Sequence, residues 1–393
     1  MTAIEQPLQE RAAPLRRTAL HERHRALGAK MTDFHGWDMP LYYTSILDEH
    51  RAVRQTFGLF DISHMGQVLV TGPDAVGSLN DMLVSDLSQV GIGRACYTLM
   101  LNEAGGILDD LIVYRLGDDE FLVIVNCGNR TSDMAWLIAH RHTGTTVTDI
   151  SEGRSILAVQ GPQACRTLEQ VLDARVTSLG RFGIAPIRTM GPDACIARTG
   201  YTGGDGFELF LPDRHAQRLW DLLVTTGTPI GALPAGLGAR DTLRVEGGLR
   251  LYGIDMDAAT TPDEARLEWT VVLNKPSFIG KEALVRQKAE GVRRRFVGFE
   301  LAQGPVPRGG AALSHGGRAV GVVTSGTFSP ILGKPLGLGY VEPSAAARGT
   351  TLTLNVRNQT YEATVVKLPF WKPQPAPAAP LPAAAAALEK PPA

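Results

Sequence analysis

The 393-residue chain is long enough for two or three hydrophobic cores and an enclosed site. Its 44% hydrophobic and 20% charged residues describe an ordinary soluble protein, and 39 Lys and Arg against 40 Asp and Glu exclude any argument from net charge for DNA, RNA or an anionic membrane. Cys96, Cys127, Cys165 and Cys195 form no CxxC and no zinc-ligand spacing, so reduced thiols in a cytoplasmic protein, without a bound metal, are expected.

Residues 1–17 carry early acids and two prolines and no continuous apolar segment. They read as a flexible lead, not a secretion signal, and no later run has the apolar length of a membrane span. HERHRALGAK can form a short helix, whereas the glycine and proline of MTDFHGWDMPLYY are expected to interrupt regular structure. From Ser45 a helix runs to near Gly58, and FDISHMGQVLVTG then turns strand-like. His64, at that junction, either contacts a ligand or is held structurally by hydrogen bonds. A short helix from Gly72 to about Leu83 has Pro73 near its start.

The next stretch, NEAGGILDDLIVY from Asn102 to Tyr114, is a turn followed by a strand carrying two adjacent acids. A period of two puts Leu108, Asp110, Ile112 and Tyr114 on one face and Asp109, Leu111 and Val113 on the other. The acids are therefore either exposed at a turn end, or divided: one holds backbone or turn groups while the other faces a cavity, and they form no side-by-side dyad. A carboxylate among apolar groups needs hydrogen bonds or a cation, so a polar ligand or an arginine is expected there. Tyr97 can face the same pocket or lie in the core, and Asn126, ending the buried strand FLVIVN, offers both a donor and an acceptor.

A helix is expected between Cys127 and Gly153. The strand SILAVQG and the helix GPQACRTLEQVLD follow, and the likeness of QVLVTGPDAV to ILAVQGPQAC supports two related strand-to-helix units in a mixed α/β body. Neither unit has a GxGxxG or GxxxxGK[ST] fingerprint, which disfavours nicotinamide or ATP chemistry built on those motifs. RTGYTGGDGFELFLP from Arg198 is either a sharp hairpin or a close approach to a ligand, in which Tyr201 supplies an aromatic wall and Glu208 reads ring N–H groups. A helix over 214–226 should pack Leu219, Leu222 and Leu223 on the sheet. Arg240 and Asp241 precede the helix-like LRVE and either form a fixing ion pair or let Arg240 hold a ligand or the catalytic carboxylate. Tyr252 and Asp255 continue a polar surface. After a transition near 275–290, the short apolar runs of 296–368 favour an antiparallel β-sandwich or barrel, and the Pro/Ala-rich residues 372–393 read as a flexible tail. Arg293, Arg294 and Arg295 read as a solvated cluster.

One ordered set of motifs is specific: GWDMPLYY (36–43), FDISHMG (60–66), NEAGGILDDLIVY (102–114), TGYTGGDGFE (199–208), GLGARD (236–241), LYGIDMD (251–257) and TSGTFSP (324–330). Together, over about residues 18–371, they resemble the glycine-cleavage T-protein, or aminomethyltransferase, family. The resemblance implies an α+β fold: a mixed N-terminal folate-binding body over 18–280, with two interwoven subdomains, and a C-terminal β-barrel or β-sandwich over 281–371. It implies Asp110 as the catalytic carboxylate, and Tyr97, Asp110, Ile112, Tyr114, Asn126, Tyr201, Glu208 and Arg240 as residues around tetrahydrofolate. The activity implied is transfer of the methylene carbon from an aminomethyl-lipoyl group on H protein to tetrahydrofolate, with release of ammonia and no metal. His35 departs from the alanine common in the family, and Gly204 from its glutamate. A folate-dependent demethylase of a small substrate and a noncatalytic folate-binding protein are the alternatives.

Overall fold

Two β-sheets, a hairpin and a closed barrel organise the residues that the computed structural model describes, 14–172, 175–356 and 359–373. Nearly all of the expected lead and tail lies outside them. Arg16 lies within, and its backbone is tied to Gly36 and Asp38 at 2.8 and 2.9 Å, so paired chain begins before Thr18.

The body has four layers. In the first sheet, strands Arg94–Leu101, Ile107–Gly117, Glu120–Val125, Gly66–Thr71 and Thr146–Asp149 pair antiparallel in that order, the last of them unforeseen in the sequence. One face packs Leu111, Val113 and Val123 against Leu79 and Met82 of helix Ala75–Met82 and Leu137 of helix Arg130–His140. The other face meets the second sheet, where Tyr114 and Leu122 join Phe60, Ile156, Ala158 and Phe210 in a shared core. That six-stranded sheet centres on Gly206–Pro212, Arg154–Gln160 and Gly58–Asp61. Its far side carries helices Ala164–Leu172 and Asp213–Gly227, the latter burying Leu219 and Leu223, with Leu222 half-buried beside them. The two strand-to-helix units turn at equivalent glycines, Gly72 and Gly161, whose φ values of 114° and 143° disfavour any residue with a side chain.

MTDFHGWDMPLYY is regular, contrary to expectation. Lys30–Phe34 and Trp37–Tyr42 form a hairpin through His35 and Gly36, at φ 50° and 80°, and the ladder absorbs Pro40 at a register shift between Lys30 and Met31. Helix Ile46–Gln55 starts as expected at Ser45, whose hydroxyl accepts from Asp48 N at 3.1 Å. Arg240 lies inside helix Leu237–Glu246, not before it; Gly236 and Gly238 weaken the local helix signal there.

The C-terminal unit is a closed antiparallel barrel, which decides against a sandwich: Arg295–Glu300 pairs with both Lys334–Val341 and the last strand, Gln359–Val366. The barrel is bonded to the body where it starts, by Phe296 N to Glu264 O at 2.8 Å, and after it ends, by Phe370 N and Trp371 N to Glu246 O at 3.2 and 3.3 Å. Two buried carboxylates strengthen the contact. The Glu246 side chain accepts from His50, Arg54 and Ser329. Asp255 is buried rather than part of a polar surface, bonded to Arg244, Thr324 and Ser325. Within the basic cluster, Arg294 and Arg295 pair with Glu264 and Asp263, so only Arg293 fits the solvated reading. Among the described residues no helix is long and apolar enough to cross a membrane.

Candidate active site

Alternation along Ile107–Gly117 sends Asp110, Ile112 and Tyr114 toward the second sheet and Asp109, Leu111 and Val113 toward the helices, but Leu108, expected on the Asp110 face, packs with the helix-side core because the ladder shifts register between Ile107 and Asp109. Asp110 accepts from Tyr97 OH at 3.0 Å and from Asn126 Nδ2 at 2.9 Å. Burial and the neighbouring Asp109 push its carboxyl up to about 7, against the pull of those two hydrogen bonds. Asp109 is fully buried, which removes the exposed turn-end alternative. It does hold a backbone group, Asn126 N at 3.1 Å, but on the neighbouring strand and not in the turn. The side chains point apart, yet Asn126 Nδ2 also lies 2.8 Å from Asp109 Oδ1, so one amide links the two acids.

A cavity of about 350 Å³ opens on Asp110 between the sheets. Tyr97, Ile112, Tyr114, Asn126, Tyr201, Glu208 and Arg240 all line it with Asp110. Glu208 is 8% exposed, and its Oε2 accepts from Thr199 Oγ1 at 2.5 Å and Tyr114 OH at 3.3 Å. No hydrogen bond from a described residue reaches Oε1, which leaves it as an acceptor for a ligand N–H. Burial raises the Glu208 carboxyl, opposed by the Thr199 bond and the Arg240 charge. The Arg240 guanidinium lies 4.6 Å over the Tyr201 ring and makes no ion pair among the described residues; Arg244, one turn on, takes the structural role by pairing with Asp241 and Asp255.

The glycine-rich loop is shaped from beneath by Gln160, a residue the sequence did not single out. Its amide donates to Thr199 O and Phe207 O, and a Cβ at Gly200 or Gly206 would fall within 1.9 or 2.5 Å of it. Also missed were Arg250, Met65 and Trp269 in the cavity wall. Trp269 is 67% exposed and stacks on Tyr97, ring centroids 5.8 Å apart. A lone tryptophan in a single 3-10 turn, Glu268–Thr270, has no periodicity to reveal it, whereas the glycines before Arg250 were a usable signal.

His64 lies outside the cavity lining, buried edge-on to Phe34, with Nδ1 lacking a partner among the described residues. Burial and then the Arg240 charge lower its pKa to about 3 from 6.5. A native state that resists protonation is fully stable above the unfolded value of 6.5 and loses stability as pH falls toward about 3. His64→Phe is expected to flatten that loss in urea titrations run across the range. An unchanged slope would assign the acid sensitivity to other groups.

Residues 20–275 match the family model described as the GCVT N-terminal domain, and residues 294–372 match the glycine cleavage T-protein C-terminal barrel domain. The chain belongs to the glycine cleavage T-protein family. It is 45% identical over 356 residues to the aminomethyltransferase of Halothermothrix orenii, covering 91% of this chain and 100% of that one. Identity to the Rubrobacter xylanophilus aminomethyltransferase is 46% over 362 residues, 91% of this chain and 95% of the relative. The crystal structure of glycine cleavage system aminomethyltransferase T from Bartonella henselae superposes with a TM-score of 0.86 at 37% identity, over 92% of this chain and 99% of that one. At Gly204, where glutamate was expected from the resemblance, a Cβ would be in ordinary van der Waals contact with Arg54 Nη1 at 3.4 Å and Trp371 at 3.7 Å. Arg54 bonds Glu246 at 2.6 Å, and its guanidinium lies 3.8 Å over the Trp371 ring.

Proposed function

We propose that the chain is the aminomethyltransferase of a glycine-cleavage system, moving the methylene carbon of an aminomethyl-lipoyl group on H protein to tetrahydrofolate, with the two folate N–H hydrogens leaving on ammonia and on the lipoyl sulfur, which is left as part of the dithiol. The observation that carries this is Asp110, a carboxyl held near neutrality at the floor of a mostly apolar cavity whose opposite wall offers Glu208 and Arg240. The donor set suits tetrahydrofolate: Tyr97, Ile112, Tyr114 and Tyr201 give the cavity an aromatic and apolar lining for a flat heterocycle, and Glu208 Oε1 is placed to accept from its ring N–H groups. Tetrahydrofolate supplies the nitrogen that receives the carbon. Asp110 takes up a proton at that nitrogen and counters positive charge on the arriving carbon, while the cavity limits water. A cytoplasmic setting fits the four unpaired cysteines.

Incubation with tetrahydrofolate and aminomethyl-lipoyl H protein tests the reading. Methylenetetrahydrofolate with stoichiometric ammonia is expected; tight folate binding without turnover would favour a binding protein. Glu208→Gln keeps size but removes the charge-assisted bond, and is expected to weaken tetrahydrofolate binding about tenfold with little change in thermal stability. Unchanged affinity would remove Glu208 from the recognition set, and a matching loss of folding would leave it a structural role only.

A further inference from the structure

On the far face of the acidic strand lies a carboxyl group that the transfer reaction does not use. Asp133, in the first turn of helix Arg130–His140, is 2% exposed, and its Oδ2 is buried without a hydrogen-bond partner among the described residues. Asn129 places it beside Asp109: the Asn129 carbonyl accepts from Asp133 N at 2.8 Å while its Nδ2 donates to Asp109 Oδ1 at 2.9 Å, and the two carboxyls act on each other through charge and a side-chain hydrogen bond. Asp109 has donors of its own: Asn126 N at 3.1 Å, Asn126 Nδ2 at 2.8 Å and Asn129 Nδ2 at 2.9 Å.

Two ionised carboxylates in buried contact repel, and an orphaned carboxylate oxygen adds a desolvation cost; a single proton between them removes both. The three N–H donors favour negative charge on Asp109, so the proton resides on Asp133. Burial and then the Asp109 charge lift the Asp133 carboxyl to about 10, whereas the rise that burial gives Asp109 is opposed by its bonds from Asp133, Asn126 and Asn129. Asn126 Nδ2 then joins Asp109 Oδ1 to Asp110 Oδ1, at 2.8 and 2.9 Å.

We propose that Asp133 and Asp109 share one proton as a positioning pair, and that the fixed charge left on Asp109 keeps Asp110 able to take up and release a proton during turnover. The role given to Asp110 rests on the function proposed above. The other titratable groups lining the cavity with Asp110 include Tyr97 on the adjacent strand, Tyr201 in the glycine-rich loop, Glu208 on the facing sheet, Arg240 on its helix, and Arg250 and Tyr252 beyond it. Arg240 and Arg250 are cations and oppose proton uptake, Glu208 stands on the facing sheet, and the charge that acts on Asp110 to favour uptake is that of the adjacent Asp109.

Infrared spectroscopy of the full-length protein without substrate tests the shared proton. A carboxylic-acid C=O band is expected to persist above pH 7, where Asp110 has ionised, and to vanish there in D133N; a wild-type spectrum without it overturns the pair. Rate profiles test the consequence. D109N is expected to move the acidic limb of single-turnover transfer to lower pH by about one unit or more. D133N, whose amide still donates to Asp109, should leave that limb in place. A limb unmoved in folded D109N, or displaced as far in D133N, overturns the proposal. If D109N does not fold, the band and the D133N limb still decide. A wild type that carries the band but transfers no aminomethyl carbon would count against the functional reading alone.

Discussion

Asp110→Asn is expected to slow single-turnover aminomethyl transfer about 100- to 1000-fold, with tetrahydrofolate binding within a few-fold of wild type and folding intact. The asparagine carbonyl can still accept one of the bonds that Tyr97 and Asn126 make to Asp110, so the shape of the pocket floor survives. What disappears is the proton acceptor. For the same reason the wild-type rate should fall as pH drops through about 7, because protonation of Asp110 removes the form that accepts. Rapid-quench transfer at saturating folate, beside a folate titration, separates the two effects. Near-normal transfer by Asp110→Asn would overturn the assignment, and an equal loss of binding would turn it into a recognition role.

The largest effect on stability is expected at Glu246. Glu246→Gln leaves Arg54 charged and buried without its carboxylate and disturbs the bonds from His50 and Ser329, at a cost of about 3–5 kcal/mol. Burial raises the Glu246 carboxyl, but the His50 bond and the Arg54 charge outweigh it and hold the group below its ordinary 4.5. Its contribution is therefore complete above that value and is lost as pH falls through the lower folded value. Urea unfolding of Glu246→Gln, Arg54→Met and the double variant reads the coupling directly. Additive losses would mean that the pair does not act as a unit.

The face of Asp110 was legible because the strand period is local, and Glu208 because a glycine-rich turn precedes it. Burial of Asp109 was not legible, since helix Arg130–His140, which covers it, arrives from twenty residues downstream. Sandwich and barrel share one pattern of short runs. What separates them is the pairing of Arg295–Glu300 with Gln359–Val366, a contact between distant segments. Pro40 misled in the other direction, because a breaker sits within a two-stranded ribbon once the register shifts around it. Gln160 left no local trace: the glycines above it look like a flexible loop until the side chain beneath them is placed.

The barrel is fastened to the body at both of its ends, at Phe296 and again at Phe370 and Trp371. A unit attached by one strand can swing open like a door, but one attached by two can only rock about the line joining its fastenings. Exchange of the barrel between two copies of the chain would require both end attachments and the buried Glu246 and Asp255 bonds to break together. Shortening the chain before Phe370 would remove the second backbone attachment and leave Phe296 with the Glu246 and Asp255 bonds to Ser329, Thr324 and Ser325 to hold the barrel, and protease should then cut between body and barrel faster than in the full chain.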